Sequence, residues 1–234
     1  MSITIPGTGD PTGSPARARR PQILLAGAVV AVIALVAAGL VGYRLAGPGT
    51  PSDTSPEAGF ARDMQTHHNQ AVQMSLILRD KSPEPVLAAV SYDIITSQQQ
   101  QSGQMYAWLT IWRLPQTSTK PPMAWMAANP DSHQMGAMPT GSTMAPGSML
   151  LPDGRMPGMA TPADLAKLKS SSGEDAETLF LNLMITHHTA GIAMARAIQP
   201  LTDRPEVLTL AKAVVSAQVT EIDQMKTLLA ARGG

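Results

Sequence analysis

One pattern of residues occurs twice in this chain, and the second copy follows the first at a constant distance of 120 residues. The copies share a phenylalanine, two methionines and a pair of histidines: Phe60, Met64, His67, His68 and Met74 recur as Phe180, Met184, His187, His188 and Met194. The offset continues without a gap as far as Met105 and Met225. Self-similarity over about 50 residues predicts a repeated supersecondary unit that needs its second copy for stable packing.

The first copy, called repeat 1 and covering residues 56–113, predicts a helical hairpin. Ser55 is in position to cap the first helix, and Pro56 suits the first turn. The second helix is expected to begin at Pro85, because proline cannot continue the preceding helix but can open the next one.

The second copy, called repeat 2 and covering residues 172–234, predicts a second hairpin, with Ser172 and Asp175 at a capping-box spacing. An isolated hairpin would expose an apolar stripe on each helix, so we expect the two hairpins to pack together. Aromatic residues are few and methionine is abundant, which favours helices over a β-sandwich. The predicted fold is all-α, a four-helix bundle built from two repeated hairpins.

A transmembrane helix is predicted ahead of the bundle. The stretch from Ile23 to Gly42 carries no charge over 20 residues, about the length of helix that crosses a bilayer. Three arginines precede it and only Arg44 follows closely, so the positive-inside tendency places the N-terminus in the cytoplasm. A cleavable signal peptide is the alternative, and it too exports the remainder of the chain. We expect a single-pass membrane protein whose C-terminal domain is extracytoplasmic.

The segment between the repeats, residues 114–160, is rich in methionine, proline and glycine and has no steady hydrophobic period. This composition predicts a flexible arm. It contains eight of the 15 methionines and the one histidine outside the repeats: Met123, Met126, His133, Met135, Met138, Met144, Met149, Met156 and Met159. The arm is either a plain linker or a series of soft ligands that captures copper.

A short helix is expected between the arm and repeat 2, with Thr161 as its N-cap. The predicted organisation in chain order is a disordered basic N-terminus (1–22), a transmembrane helix (23–43), a linker (44–55), repeat 1 (56–113), the arm (114–160), the short helix (161–171) and repeat 2 (172–234).

Helical periodicity places the unusual polar residues on inward-facing surfaces. At about 100° per residue, both histidines of a pair fall on the same broad face as the preceding methionine. The polar residues expected inside the bundle are His67, His68, His187, His188, Gln98, Gln218 and Glu221. Unpaired polar groups are costly to bury, so something must satisfy them.

The donor chemistry of the motif favours copper. The methionine and the second histidine are at i and i+4, close enough to share an ion, so one cluster per motif is expected. Thioether and imidazole in a chain without cysteine suit copper, Cu(I) especially, and the scarcity of carboxylates argues against magnesium, calcium or a di-iron centre. Zinc bound by histidine alone is the weaker alternative. The other alternative is a metal-free core in which the histidines form hydrogen bonds with glutamine and glutamate.

The repeated motif resembles the domain of unknown function 305 family, in a double-unit form. The residues that carry the resemblance are Phe60-x-x-x-Met64-x-x-His67-His68-x-x-Ala71-x-x-Met74, its copy from Phe180, and Gln218-x-x-Glu221-Ile222-x-x-Met225. The resemblance implies a ferritin-like helical bundle and, in some members, periplasmic copper binding and copper tolerance. By position it implies the metal ligands Met64, His67, His68, Met74, Met184, His187, His188 and Met194.

The two repeats differ at positions next to these ligands. Repeat 1 has Gln101 where repeat 2 has Glu221, and Gly191 replaces the alanine that the family pattern leads us to expect. Asp63, four residues before His67, is a candidate to orient that imidazole. The residues expected to support the ligands are Asp63, Gln98, Gln218 and Glu221. The two sites need not be equal.

The leading prediction is a membrane-anchored, extracytoplasmic protein that binds copper. It would sequester or deliver the ion in copper homeostasis or tolerance. Its expected partners are the metal ion, the lipid bilayer, and a second copy of the chain or a copper-handling protein. A copper-dependent oxidase and a structural or interaction bundle without metal are the alternatives. The net charge is zero and no dense basic patch follows the apolar stretch, which argues against nucleic acid as a partner.

Overall fold

The computed structural model describes residues 29–39, 49–128 and 149–233. The chain divides into two compact units, Met1–Gly49 and Thr50–Gly234. In the first unit, residues 29–39 form a helix, α1. Among the described residues, no helix combines the length and the apolar character needed to span a membrane. The remainder of the predicted transmembrane segment, residues 23–28 and 40–43, lies outside the described residues.

The second unit is all-α throughout its described residues, which confirms the predicted class. Four helices are long and one is short: α2 (Pro56–Arg79), α3 (Pro85–Ile111), α4 (Pro162–Ser170), α5 (Gly173–Ile198) and α6 (Pro205–Ala230). Two short 3-10 helices, Ala124–Ala128 and Gln199–Leu201, complete it. The helices α2 and α3 form one hairpin, and α5 and α6 form the other.

Most of the helix starts follow the local signals in the sequence. The Ser55 side chain caps α2, and Thr161 and Asp164 form a reciprocal capping box at α4. Pro85 is the first residue of α3 and Pro205 the first of α6. These prolines fit the first turn of a helix because the amide they lack has no intrahelical partner there.

The capping box expected at Ser172 is wrong. Ser172 holds the N-cap position of α5, but its side chain makes no capping hydrogen bond. The next amide, that of Gly173, donates instead to the carbonyl of Lys81 at 3.0 Å. The start of α5 is therefore fixed by a contact with the end of α2 rather than by its own cap.

The helices α2 and α5 lie antiparallel at the centre of the bundle. At one end, Gly173 contacts Lys81, as described above. At the other end, the Thr202 hydroxyl donates to the Glu57 carboxylate at 2.8 Å, joining the end of the second hairpin's first helix to the start of α2. Each of these two helices packs against its own hairpin partner and against the other.

Hydrophobic residues gather in two clusters, one towards each end of α2, and all four long helices contribute to both. The first core contains Phe60 and Met64 of α2 with Met194 of α5. The second core contains Met74 of α2 with Phe180 of α5. The middle of α2 and the middle of α5, where the histidines lie, are thus enclosed between two apolar layers.

The predicted flexible arm is partly core. Met123, Met126 and Met156 are at most 5% exposed and belong to the first core. Trp125 packs edge-on against Phe60, with 5.7 Å between ring centroids. The expectation of flexibility is wrong for these described ends of the segment, because unbranched thioether side chains fill space against the bundle. Met149 and Met159 pack partly buried against the same core. The other predicted ligands of the arm lie outside the described residues: His133, Met135, Met138 and Met144.

Candidate metal centre

The four histidines of the repeated motif are fully buried in the middle of the bundle. His67 and His68 lie on α2, and His187 and His188 lie on α5. Because these helices are antiparallel, the two pairs meet: the rings of His67 and His187 are 3.7 Å apart between centroids, with 33° between their planes. The structure corrects the expectation of a separate cluster for each motif, since both motifs supply histidines to one interior region.

The outer histidine of each pair has one hydrogen bond. Nε2 of His68 lies 2.7 Å from Oε1 of Gln101, and Nε2 of His188 lies 2.6 Å from a carboxylate oxygen of Glu221. Since both partners accept, each Nε2 donates a proton, and in the neutral form of the ring Nδ1 is the nitrogen with a free lone pair. Both Nδ1 atoms are buried without a hydrogen-bond partner. An imidazole held in this way presents Nδ1 as a metal ligand.

Gln101 contacts His68 directly, although it is not among the supporting residues predicted from the sequence. A signal for it was present, because Gln101 stands 120 residues before Glu221. The two side chains make equivalent contacts with His68 and His188 in the two hairpins. Glutamine is neutral and glutamate is not, so the two halves of the centre differ in charge, as the sequence leads us to expect.

The inner histidines, His67 and His187, have no hydrogen-bond partner on either ring nitrogen. Burial lowers the pKa of both well below its usual range, and the neighbouring histidines lower it further. Burial also lowers the pKa of His68 to about 4. These three imidazoles are therefore neutral at physiological pH, which is the state that binds metal ions.

Two buried glutamines complete the polar interior. Gln98 and Gln218 are each 2% exposed, and neither amide group has a hydrogen-bond partner. A Cβ atom added at Gly191 would lie 2.5 Å from Oε1 of Gln218 and 3.2 Å from Cε1 of His67. Gly191 therefore leaves room for the Gln218 amide beside the His67 ring, which gives a physical reason for glycine at this position.

The four methionines of the motif group across the hairpins rather than within each motif. Met64 and Met194 lie in the first core, whereas Met74 and Met184 lie in the second core. None is more than 1% exposed. The antiparallel arrangement explains this pairing, since it brings the start of α2 beside the end of α5. Thioether groups thus lie in both apolar layers that enclose the histidines.

The predicted role of Asp63 as the residue that orients His67 is wrong. One carboxylate oxygen of Asp63 accepts hydrogen bonds from the Met123 amide at 2.7 Å and from the Trp125 indole at 2.8 Å. Neither nitrogen of His67 has a partner. Burial raises the pKa of Asp63, against the lowering effect of these two bonds. The residue fastens the segment around Trp125 to α2 instead.

Within the described ranges, no three side chains among histidine, cysteine, aspartate and glutamate stand in a geometry ready to hold a metal ion. The rings of His67 and His187 are nonetheless in direct contact, tilted by 33° with 3.7 Å between their centroids.

The fold and this interior define a class of protein, an all-α bundle with a buried centre of imidazole and thioether groups. Residues 57–229 match the family model described as Domain of unknown function (DUF305). The chain belongs to the DUF305 family.

Solved structures share this fold. A DUF305 protein from Streptomyces coelicolor is 38% identical, covering 78% of this chain and 97% of that chain with a TM-score of 0.66. A DUF305 fragment from Deinococcus radiodurans is 29% identical, covering 78% of this chain and 99% of that chain with a TM-score of 0.56. CopM in its Cu(I)-bound form is 21% identical, with 77% and 99% covered and a TM-score of 0.54, a likeness of fold. Curated proteins give no match.

Proposed function

We propose that this protein binds copper, with a preference for Cu(I), in the histidine and methionine interior of its bundle, and that it sequesters or delivers the ion. The observation that carries the proposal is the set of six imidazole nitrogens that are buried without a hydrogen-bond partner. Each such group costs about 1–3 kcal/mol when it stays unpaired. A bound metal ion would satisfy several of them at once.

The chemistry of the surrounding groups supports copper as the ion. His68 and His188 are fixed through Nε2 and offer Nδ1, while His67 offers either nitrogen. The thioethers in the adjoining layers are soft ligands that suit Cu(I). Among the described residues, Glu221 is the one carboxylate that is hydrogen-bonded to these histidines. Zinc fits less well, because it gains little from thioether sulfur.

The metal-bound forms of a protein with the same fold support a soft metal. CopM has been solved in Cu(I)-bound, Cu(II)-bound and silver-bound forms. Cu(I) and silver are both monovalent ions that favour sulfur and imidazole ligands. These matches are 20–24% identical to this chain, so they support the proposal through the shared fold alone. The assignment of metal ligands depends on the residues of this chain.

A competition titration tests the proposal. The unit from residue 50 to residue 234 is titrated with Cu(I) against a colorimetric chelator, and separately with Zn²⁺. The variant carries His67→Leu and His187→Leu, which keep side-chain volume but remove four of the unpartnered nitrogens. Ile94→Leu, a volume-conserving change in the second core that removes no metal ligand, is the matched control. We expect the histidine variant to lose at least about 100-fold in Cu(I) affinity and the control to be unchanged. Unchanged affinity in the histidine variant would contradict the proposal.

One observation favours a second candidate, a structural bundle in which the histidines serve only the core. The outer histidines do make the cross-helix hydrogen bonds that this alternative requires, His68 with Gln101 and His188 with Glu221. The inner pair makes none. Absence of Cu(I) and Zn²⁺ binding by the wild-type unit in the same titration would favour this candidate.

The proposal also places the bundle outside the cytoplasm on a membrane anchor. Its support is the uncharged stretch from Ile23 to Gly42 with three arginines before it. Right-side-out membrane vesicles that carry tags on both ends of the protein test it. Added protease should remove the C-terminal tag and spare the N-terminal tag. Loss of the N-terminal tag during export would indicate a cleaved signal peptide, and protection of both tags would contradict the orientation.

A further inference from the structure

A groove lies on the surface of the bundle between α3 and α6. Its volume is about 520 Å³, and small side chains of α6 such as Ala213, Ala217 and Thr220 form much of its wall. The side chain of Asp93 lines it from α3, and that of Glu221 lines it from α6. Its lining residues include no lysine or arginine. The groove is therefore open to water and acidic.

Glu221 connects this groove to the buried histidines. Its side chain is 18% exposed and lines the groove, while one carboxylate oxygen lies 2.6 Å from Nε2 of His188. His188 itself is fully buried. A single carboxylate thus contacts the solvent on one side and the interior on the other.

Each acidic residue of the groove has a neutral counterpart at the equivalent position of the other repeat. Gln101 stands 120 residues before Glu221, and Ala213 stands 120 residues after Asp93. Gln101 makes the same contact with His68 that Glu221 makes with His188, but without charge. The negative charge next to the centre is therefore on the side of this groove.

We propose that the groove between α3 and α6 is the route by which a monovalent soft cation reaches and leaves the histidine centre. In this proposal Glu221 attracts the ion to this side of the bundle and holds the proton on Nε2 of His188, which leaves Nδ1 as the ligand. The inference rests on the proposed copper-binding function. A cation paired with the Glu221 carboxylate is neutral as a pair, which reduces the cost of moving its charge into the interior. When Nδ1 of His188 takes the ion, the proton on Nε2 stays with its hydrogen bond to Glu221, so no proton has to leave.

Two kinds of variant separate this route from the affinity of the centre. Ala217→Phe fills the groove one helical turn before Glu221, and Ala107→Phe at an exposed position of α3 outside the groove is its control. Glu221→Gln keeps a hydrogen-bond acceptor for His188 but removes the charge. Asp223→Asn, an equal charge change at an exposed position outside the groove, is its control.

The measurement is stopped-flow association of aqueous silver ion with the full-length chain, together with the dissociation rate into excess thiosulfate. We expect Ala217→Phe to slow both rates by about tenfold or more at unchanged Kd, because the route is narrowed while the centre is intact. Glu221→Gln should slow association by about tenfold and weaken its dependence on ionic strength, whereas Asp223→Asn should not. Should Ala217→Phe lose its circular dichroism signal, Ala213→Phe provides a second obstruction of the same groove.

Rates in Ala217→Phe that equal those in Ala107→Phe would overturn the route. Equal association rates in Glu221→Gln and Asp223→Asn would overturn the role of Glu221. In both cases the wild-type chain still binds silver, so the copper-binding proposal stands. Failure of the wild-type chain to bind silver or Cu(I) would overturn that proposal and the route together.

Discussion

The imidazole rings of His67 and His187 are stacked, with 3.7 Å between their centroids and 33° between their planes. They come from motifs 120 residues apart, and none of their four nitrogens has a hydrogen-bond partner. Two neutral rings in this arrangement keep each other's faces from water while their nitrogens stay unsatisfied. Burial of these unpaired nitrogens therefore costs free energy in the metal-free protein. Under the copper-binding proposal, a bound ion would recover part of that free energy.

Replacing the stacked pair by apolar residues should stabilise the metal-free protein. His67→Leu with His187→Leu is expected to raise the free energy of unfolding by about 1–3 kcal/mol, because buried unpaired polar groups are removed at similar volume. Urea unfolding monitored by circular dichroism measures the change. Added silver should stabilise the wild type and leave the variant unaffected, because only a protein that binds the ion gains from it. If the variant is less stable than the wild type without metal, the ring nitrogens do not destabilise the metal-free protein and this prediction is wrong.

Acidification should destabilise the metal-free bundle. Histidine in the unfolded chain titrates near 6.5, whereas burial lowers the pKa of His68 to about 4 and those of His67 and His187 well below their usual range. The unfolded state therefore takes up more protons below pH 6.5, so stability is complete above this value and falls as the pH falls towards the folded pKa. For His68 alone the loss is about 2 kcal/mol by about pH 5.

Urea midpoints between about pH 7 and about pH 5 test this dependence. The variant with His67→Leu and His187→Leu is the reference, and its midpoint should fall less steeply with acid. This comparison is needed because Asp63, whose pKa is raised by burial, acts in the opposite direction. Equal slopes in the two proteins would show that the inner histidines are not held neutral.

Gly191 should be intolerant of a side chain. Gly191→Ala places a Cβ 2.5 Å from Oε1 of Gln218, so the amide must move, and we expect a loss of about 1–3 kcal/mol in stability. Gly103→Ala is the control, because nothing lies within 4 Å of its Cβ position on α3, and it should stabilise by about 0.5–1 kcal/mol. Adding Gln218→Ala to Gly191→Ala should recover part of the loss. A double variant whose loss equals the sum of the two single losses would argue against the contact.

Asp63 should matter for the attachment of the Trp125 segment and not for the metal. Asp63→Ala leaves the Met123 amide and the Trp125 indole without their acceptor, with an expected cost of about 1–3 kcal/mol and a red shift of tryptophan emission. Asp63→Asn retains an acceptor oxygen and should be milder. Exposed Asp223→Ala is the control for stability. A large decrease of Cu(I) affinity in Asp63→Asn would restore the role of orienting His67.

Much of the fold follows from local signals. The prolines at Pro85 and Pro205, the cap at Ser55 and the capping box at Thr161 each act within a turn of helix, so a single sequence shows them. The burial of the histidines also follows, since helical periodicity fixes which residues share a face.

The rest depends on contacts between distant residues, which periodicity does not encode. The face that holds His67 is predictable, but its stacking on His187 depends on how α5 crosses α2. The same crossing places Met64 with Met194. The partner of Asp63 was missed because Trp125 lies in a segment with no helical period, whose composition resembles that of a linker.

X-ray absorption at the copper edge of the Cu(I)-loaded protein identifies the atoms that bind the metal. We expect scattering from both imidazole nitrogen and thioether sulfur around the copper. The nitrogen contribution should fall sharply in the variant with His67→Leu and His187→Leu. A wild-type spectrum with sulfur alone, or the same spectrum in both proteins, would contradict a copper centre at the buried histidines.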